Sequence, residues 1–347
     1  MLRRFLVHRI KTFPPVYFAL PMSTGIMSVA SFTLGYNVLS TFFYVLCGIE
    51  LSVLFMLFLL KAIFFYSRFR KGFSVPGKAG GTLTLIAAIS IFSMAGILLY
   101  QNFKIAVTGW RVSIVLWLMF IYIISALTII EKKKPGIRNS INGSWLLFVV
   151  SAQALAILGN FVMRQIVVAP EIGVFITLSF YFIGALFYLI IIALISYRYA
   201  FYRLRPREFR PSYWINMGAA AISTLSGSIL IETMRRLGVY QDFIPLFKVF
   251  TFLFWIGATW WIPLILYLEI WKRLIVKVSY KPENWSLVFP LGVYTVCTWH
   301  FGKIMNLDFL MQIPHVSIFV AFAAWIILYV KMFYSRIRVL KAYRKRS

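Results

Sequence analysis

Ten apolar runs, spaced along the whole chain and separated by short polar segments, leave few folds open to this sequence. They cover residues 13–34, 41–65, 80–100, 112–130, 145–163, 172–197, 214–231, 243–269, 285–300 and 316–334. A helix needs about 20 mostly apolar residues to cross the hydrocarbon core of a bilayer. Inside lipid, only structures that satisfy every backbone N–H and C=O internally persist. The expected fold class is therefore all-α integral membrane, with ten transmembrane helices in a single transmembrane domain over residues 1–347. Residues 1–12 and 335–347 are its basic ends. The ninth run is the shortest, and its helix is expected to start as early as Pro282, because proline suits the first turn of a helix.

Composition removes the soluble alternative. Hydrophobic residues make up 61% of the chain and charged residues 13%, against roughly 45–50% and about 25% in a soluble domain. The formal charge of +27 would suggest nucleic acid in a soluble protein. Here the basic residues fall between apolar runs and form no stripe, so no nucleic-acid partner is expected. Residues 1–11 are basic, but the run after them lacks a small-residue cleavage site, so it reads as a retained helix.

The connecting segments set the orientation. One alternate set holds Arg3, Arg4, Arg9 and Lys11; Arg68, Arg70, Lys71 and Lys78; Lys132, Lys133, Lys134 and Arg138; Arg198, Arg203, Arg205, Arg207 and Arg210; Lys272, Arg273, Lys277 and Lys281; and Lys331, Arg336, Arg338, Lys341, Arg344, Lys345 and Arg346. The other set holds Lys104, Arg111, Arg164, Arg235, Arg236, Lys248 and Lys303. Twenty-eight against seven, with Lys61 at a helix end, places both termini in the cytoplasm by the positive-inside rule. The expected location is the cytoplasmic (inner) membrane, multi-pass and in contact with membrane lipid. The Asn-x-Ser sequons at Asn142 and Asn284 then fall on the cytoplasmic side and read as chance matches.

The odd runs begin about 65–70 residues apart, which suggests five helical hairpins repeated in one orientation. The odd helices carry the small and breaking residues: Pro21 and Gly25, Gly80, Gly81 and Gly96, Gly159, Gly218 and Gly227, Pro290 and Gly292. The even helices are bulkier, apart from Pro263. Small residues allow close backbone approach, so the odd helices are expected inside a ring of even ones. Pro21, Gly25, Gly96, Gly159, Gly227 and Pro290 are then the candidate kinks and small pore-facing residues. Each proline deletes a backbone bond and bends the axis, shaping a lumen or merely tuning helix packing.

Motifs for catalysis are lacking: there is no P-loop, H-E-x-x-H or nucleophile elbow. His8, His300 and His315, with Asp308, match no metal spacing, and Cys47 and Cys297 lie within apolar runs as small hydrophobes. No enzyme activity, catalytic residue, cofactor or metal is expected. Glu50 is the one acid well inside a run. An intramembrane carboxylate is costly, so Glu50 is a candidate proton-coupling site. It could equally pair with a buried polar group or lie nearer an interface. Helix interiors almost lack Lys and Arg, which suits the weak sites of a channel more than tight capture of a dianion.

Three segments carry a family resemblance. Pro15, Phe18, Met22, Thr24 and Gly25 in the first run resemble the opening signature of the tellurite-resistance/dicarboxylate transporter family, which includes plant slow-type anion channels and yeast malate and sulfite transporters. Arg210-Pro-Ser-Tyr-Trp-Ile-Asn-Met-Gly218-Ala-Ala is similar to the start of its seventh helix. Trp285-Ser-Leu-Val-Phe289-Pro290, continuing to Thr298, is similar to its ninth. The resemblance implies five helical hairpins around a central pore in each protomer, commonly a homotrimer, conducting small anions. It also implies a pore gate on the ninth helix, which falls on Phe289. A helix starting at Trp285 would leave Phe289 only one turn from the cytoplasmic end, so a mid-membrane gate requires an earlier start. Ser23 replaces the glycine usual in that signature. With no long regulatory domain, kinase control is not expected, and a compact prokaryotic member fits better.

The function read from these features is a passive anion channel or channel-like uniporter. The alternative is a secondary transporter of C4-dicarboxylate, tellurite-related oxyanions or sulfite, proton-coupled through Glu50.

Overall fold

The computed structural model describes residues 7, 9–73, 79–132, 136–167 and 169–344, with side chains through Arg338. Arg3, Arg4, His8, Lys78, Lys133, Lys134, Lys345 and Arg346 lie outside the described residues.

Among the described residues, ten long helices follow the ten runs: α1 Ala19–Thr33, α2 Asn37–Phe64, α3 Thr84–Tyr100, α4 Phe103–Ile130, α5 Leu147–Val162, α6 Pro170–Phe201, α7 Ile215–Leu237, α8 Ile244–Ile275, α9 Val288–Met305 and α10 Gln312–Arg344. The described residues contain no β-strand. Nine of these helices, with their leading turns, are long and apolar enough to cross a membrane. The chain is thus an all-α integral membrane protein. The stretch holding α9, from Pro282 to Met305, is also long but less apolar and falls outside that set of nine. Most of α9 is buried against other helices, so it has little need of a lipid-compatible surface.

Several even helices outrun their apolar runs. α4 begins at Phe103 and not near residue 112, because Lys104, Thr108 and Arg111 sit in helix while facing outward. Hydropathy stops at a charge, whereas backbone hydrogen bonding does not. α10 likewise stays helical to Arg344, so the described part of the expected tail prolongs the last span.

Inner and outer helices separate as the small-residue pattern anticipates. Of the most apolar stretch of α1, α3, α5 and α7, 78–100% is buried, against 22–28% for the five even helices. The odd helices pack in the order α1, α3, α5, α7, α9, and α9 closes back on α1. Each even helix packs on the odd helix before it and leans on the one after. A left-handed backbone residue makes four of the turns that join them: Gly35, Gln101, Gly238 and Asn306.

A device that the sequence did not reveal repeats five times. Every odd helix is entered through a 3-10 turn: Pro15–Phe18, Ala79–Leu83, Gly143–Leu146, Pro211–Trp214 and Pro282–Leu287. These turns touch one another in a second closed ring. Asn142 caps one of them, its Oδ1 accepting from the Ser144 N–H at 3.0 Å, and Asn284 Oδ1 accepts from the Lys281 N–H at 3.1 Å. Both sequon asparagines therefore hold helix entrances. The turns lie on one face, here called proximal. It also carries the start of the last extension, since the Arg336 guanidinium sits 5.1 Å from the Tyr17 ring centroid.

Side-chain hydrogen bonds fasten the outer ring to the inner. Trp110 Nε1–H donates to the Leu155 carbonyl at 3.1 Å and Trp117 Nε1–H to Ser151 Oγ at 3.2 Å, joining α4 to α5. Trp255 Nε1–H donates to Thr298 Oγ1 at 3.1 Å, joining α8 to α9. Trp325 Nε1–H donates to Thr24 Oγ1 at 3.2 Å, joining α10 to α1. Such bonds matter where lipid offers no hydrophobic drive between helices.

Candidate functional site

The ring of odd helices encloses an axial space of three parts. A proximal vestibule of about 350 Å³ opens among the five entrance turns, with Lys61, Asn142, Arg210, Glu283 and Ser286 in its wall. A distal vestibule of about 300 Å³ lies at the other end, lined by Asn160, Glu232, Thr233, Arg236, His300 and Lys303 among others. Between them Ile26, Ile91, Met94, Ala154, Ile157, Ile222, Leu225 and Val293, with Ser90, leave a void of about 10 Å³. That is about the room one water needs. All five inner helices contribute to this constriction, and none brings a charge to it.

α9 explains where Phe289 falls. Residues three and four apart share a helix face. Along one face, Ser286 lines the proximal vestibule, Val293 the constriction, and Val296, His300 and Lys303 the distal vestibule. Helical spacing extends this stripe back through Phe289, whose exposure is 0% and which lines none of these three cavities. The ninth span begins with the 3-10 turn Pro282–Leu287, one turn ahead of the start of its apolar run at Trp285.

The expected pore-facing small residues do something else. A Cβ on Gly96 would meet Tyr44 Oη at 3.0 Å, and one on Gly159 would meet Trp110 Nε1 at 3.2 Å. A Cβ on Gly227 would meet Tyr181 Oη at 3.3 Å, and one on Gly25 would meet Cys47 Sγ at 3.2 Å and Ile91 Cγ2 at 3.0 Å. Gly96, Gly159 and Gly227 therefore face the outer helices, and Gly25 faces both α2 and α3. None of the four has its missing side chain directed at the lumen. They allow the two rings to approach closely, while the constriction is lined mainly by Ile, Leu, Met and Val, with Ala154 and Ser90.

The prolines also differ from expectation. Pro21 and Pro290 are each the third residue of their α-helical segments, just after a 3-10 turn. They mark the passage from 3-10 to α geometry and do not kink a mid-membrane helix. The Pro21 carbonyl accepts from Cys47 Sγ at 3.2 Å. The ring of Pro290 packs where a Cβ on Gly218 would stand, 2.8 Å from its Cγ.

Glu50 lies off the axis, on outer helix α2. Only 8% exposed, it sits near the hydroxyls of Thr24 on α1 and Tyr329 on α10. Neither carboxylate oxygen has a hydrogen-bond partner. Cys47 and Cys297 are buried and free. The His315 ring lies edge-on to Trp299, 6.0 Å between centroids, and the described residues contain no group of three His, Cys, Asp or Glu placed to hold a metal.

Sequence reasoning missed the charged groups at the two mouths. Lys61, Arg210 and Glu283 wall the proximal vestibule, and Glu232, Arg236 and Lys303 the distal one. The four basic residues had served for orientation, as a helix end or within a family motif, and the two acids had been passed over. The available clue was spacing: Glu232 and Arg236 stand four apart and continue the lumen face of α7 past Ile229 and Leu225.

The profile of a family described as voltage-dependent anion channel matches residues 12–333. An uncharacterized transporter of Methanocaldococcus jannaschii is 24% identical over 332 residues, covering 93% of this chain and 94% of its own length. A second uncharacterized transporter of that organism is 23% identical, over 93% of each chain. An uncharacterized membrane protein of Mycobacterium tuberculosis is 33% identical over 147 residues, which is 42% of this chain and 74% of the relative.

Proposed function

This chain belongs to the voltage-dependent anion channel family, and on that premise we propose that it is a passive channel, or channel-like uniporter, for small anions, gated by Phe289. The observation that carries the reading is a pair of vestibules, each with charged groups in its wall, separated by an uncharged apolar constriction to which all five inner helices contribute. Each vestibule wall holds two cations and one acid, which favours anions in the mouths without trapping them. In the constriction an ion must shed hydration with no fixed charge in return. The cost of moving an ion into low dielectric is steep and grows with the square of the charge, so monoanions are favoured over dianions. The test is current across reconstituted bilayers under gradients of different anions. Reversal potentials that track the monoanion gradient support a channel; electrically silent exchange of dicarboxylate or sulfite counts against it.

The second reading, a proton-coupled transporter of C4-dicarboxylate, tellurite-related oxyanions or sulfite, is favoured by one observation: the carboxylate of Glu50, buried with no cation beside it among the described ion pairs. Under the channel reading, Glu50→Gln leaves a conductance whose reversal potential follows the anion gradient and ignores pH. Loss of all transport in a folded Glu50→Gln protein, with proton movement in the wild type, would establish the coupled carrier instead. Neither reading uses catalytic chemistry or a cofactor.

The proposal places the protein in the cytoplasmic membrane, proximal face inward, on the strength of the basic-residue asymmetry; a homotrimer is proposed from the family resemblance alone. Cysteines introduced at Asn139 or Arg207 are expected to resist a membrane-impermeant thiol reagent in intact cells and to react after permeabilisation. Labelling from outside would reverse the orientation.

A further inference from the structure

Two cations share the wall of the distal vestibule with a single carboxylate. Arg236, near the end of α7, and Lys303, near the end of α9, both line this cavity, and their helices are neighbours in the inner ring. Among the described residues neither forms an ion pair. Lys303 Nζ is held 5.3 Å from the ring centroid of Trp299, a contact that fixes the ammonium at the wall without cancelling its charge. The acid in this vestibule, Glu232, turns elsewhere: its Oε2 lies 4.0 Å from His300 Nδ1. Asn160 and Thr233 add neutral polar groups to the same wall. The cavity, about 300 Å³, takes a small anion together with part of its hydration shell, each water occupying about 30 Å³.

We propose that Arg236 and Lys303 form a capture site for a small monovalent anion at the distal mouth, with Glu232 as the countercharge that keeps its hold weak. A concave wall of one sign concentrates counter-ions and raises their rate of arrival, and a conduction path needs binding loose enough for release. The inference rests on the pore reading above for its use in transport, but the site itself is a property of the vestibule and is measurable without current.

The measurement uses Thr33→Cys, which places a thiol in the wall of the same vestibule, while the native Cys47 and Cys297 are buried. In purified full-length protein, the thiol is reacted with a negatively charged and with a neutral methanethiosulfonate, and the ratio of the two rates is taken. Adding Arg236→Gln and Lys303→Gln should lower that ratio by about three-fold or more, within the range by which local fields alter ion arrival. Glu232→Gln, which leaves both cations in place, should raise it. Nitrate should slow the anionic reagent in the parent and lose that effect in the double variant. A ratio indifferent to all three substitutions overturns the capture site, whether or not the protein conducts. A ratio that responds, in a protein that carries no anion current even as Phe289→Ala, sustains the site and sinks the channel reading.

Discussion

Phe289→Ala is expected to raise anion current at least about ten-fold at matched surface expression, the change that lowering a barrier by about 1.4 kcal/mol produces. Helical spacing places the residue between Ser286 of the entrance turn and Val293 of the constriction, and its side chain is wholly enclosed. A narrow apolar section dewets, and an ion there loses its shell without replacement. Removing a phenyl ring widens that section and admits water. The ring Ile26, Ile157, Ile222 and Leu225 stays in series with it, so Phe289→Ala combined with Leu225→Ala should conduct more than either alone. If Phe289 merely packs between helices, its truncation costs about 3–5 kcal/mol on the soluble-core scale and brings no gain in current. Unchanged or reduced current in a stable Phe289→Ala protein removes it as the gate. A large gain from Leu225→Ala alone would move the gate to the isoleucine–leucine ring.

Gly143→Ala is expected to cost about 3 kcal/mol of stability, the upper end of what one overpacked methyl inflicts. Gly143 opens the entrance turn of α5, which packs on the entrance turn of α7. A Cβ there would collide with the Ser212 carbonyl and come within 2.8 Å of the Tyr213 backbone nitrogen. Backbone atoms cannot rotate away as a side chain can, so the two turns must separate. The neighbouring joint is built alike: a Cβ on Gly80 would lie 2.5 Å from the Ser144 carbonyl oxygen. Gly136, with nothing within 4 Å of its added Cβ, is the control, and Gly136→Ala should change stability by less than about 0.5 kcal/mol. Denaturant unfolding in micelles, with size-exclusion profiles, compares them. Equal stability of the two variants would mean that the ring of entrance turns is not a tight joint.

Much of the architecture is legible in the chain because lipid imposes a simple rule. A crossing segment must satisfy its own backbone and, where lipid touches it, be apolar, a need that long apolar runs meet as helices, so the membrane class, the order of helices and their alternation follow from residue runs alone. The inner position of the odd helices also follows, since Gly25, Gly96, Gly159 and Gly227 mark helices that others approach closely. What the sequence left open is the rotation of each helix about its own axis. A soluble amphipathic helix declares its inward face by contrast with its polar one. Here the lipid face, the packing face and the lumen face are all apolar, so the contrast is missing. The small residues were therefore assigned to the lumen, and only the tertiary structure turned them toward the outer ring and set Ile26, Ile222, Leu225 and Val293 on the axis. The same rotation, fixed by ring closure, brings Arg236 and Lys303 from separate helices to one vestibule; no spacing along the chain could have joined them.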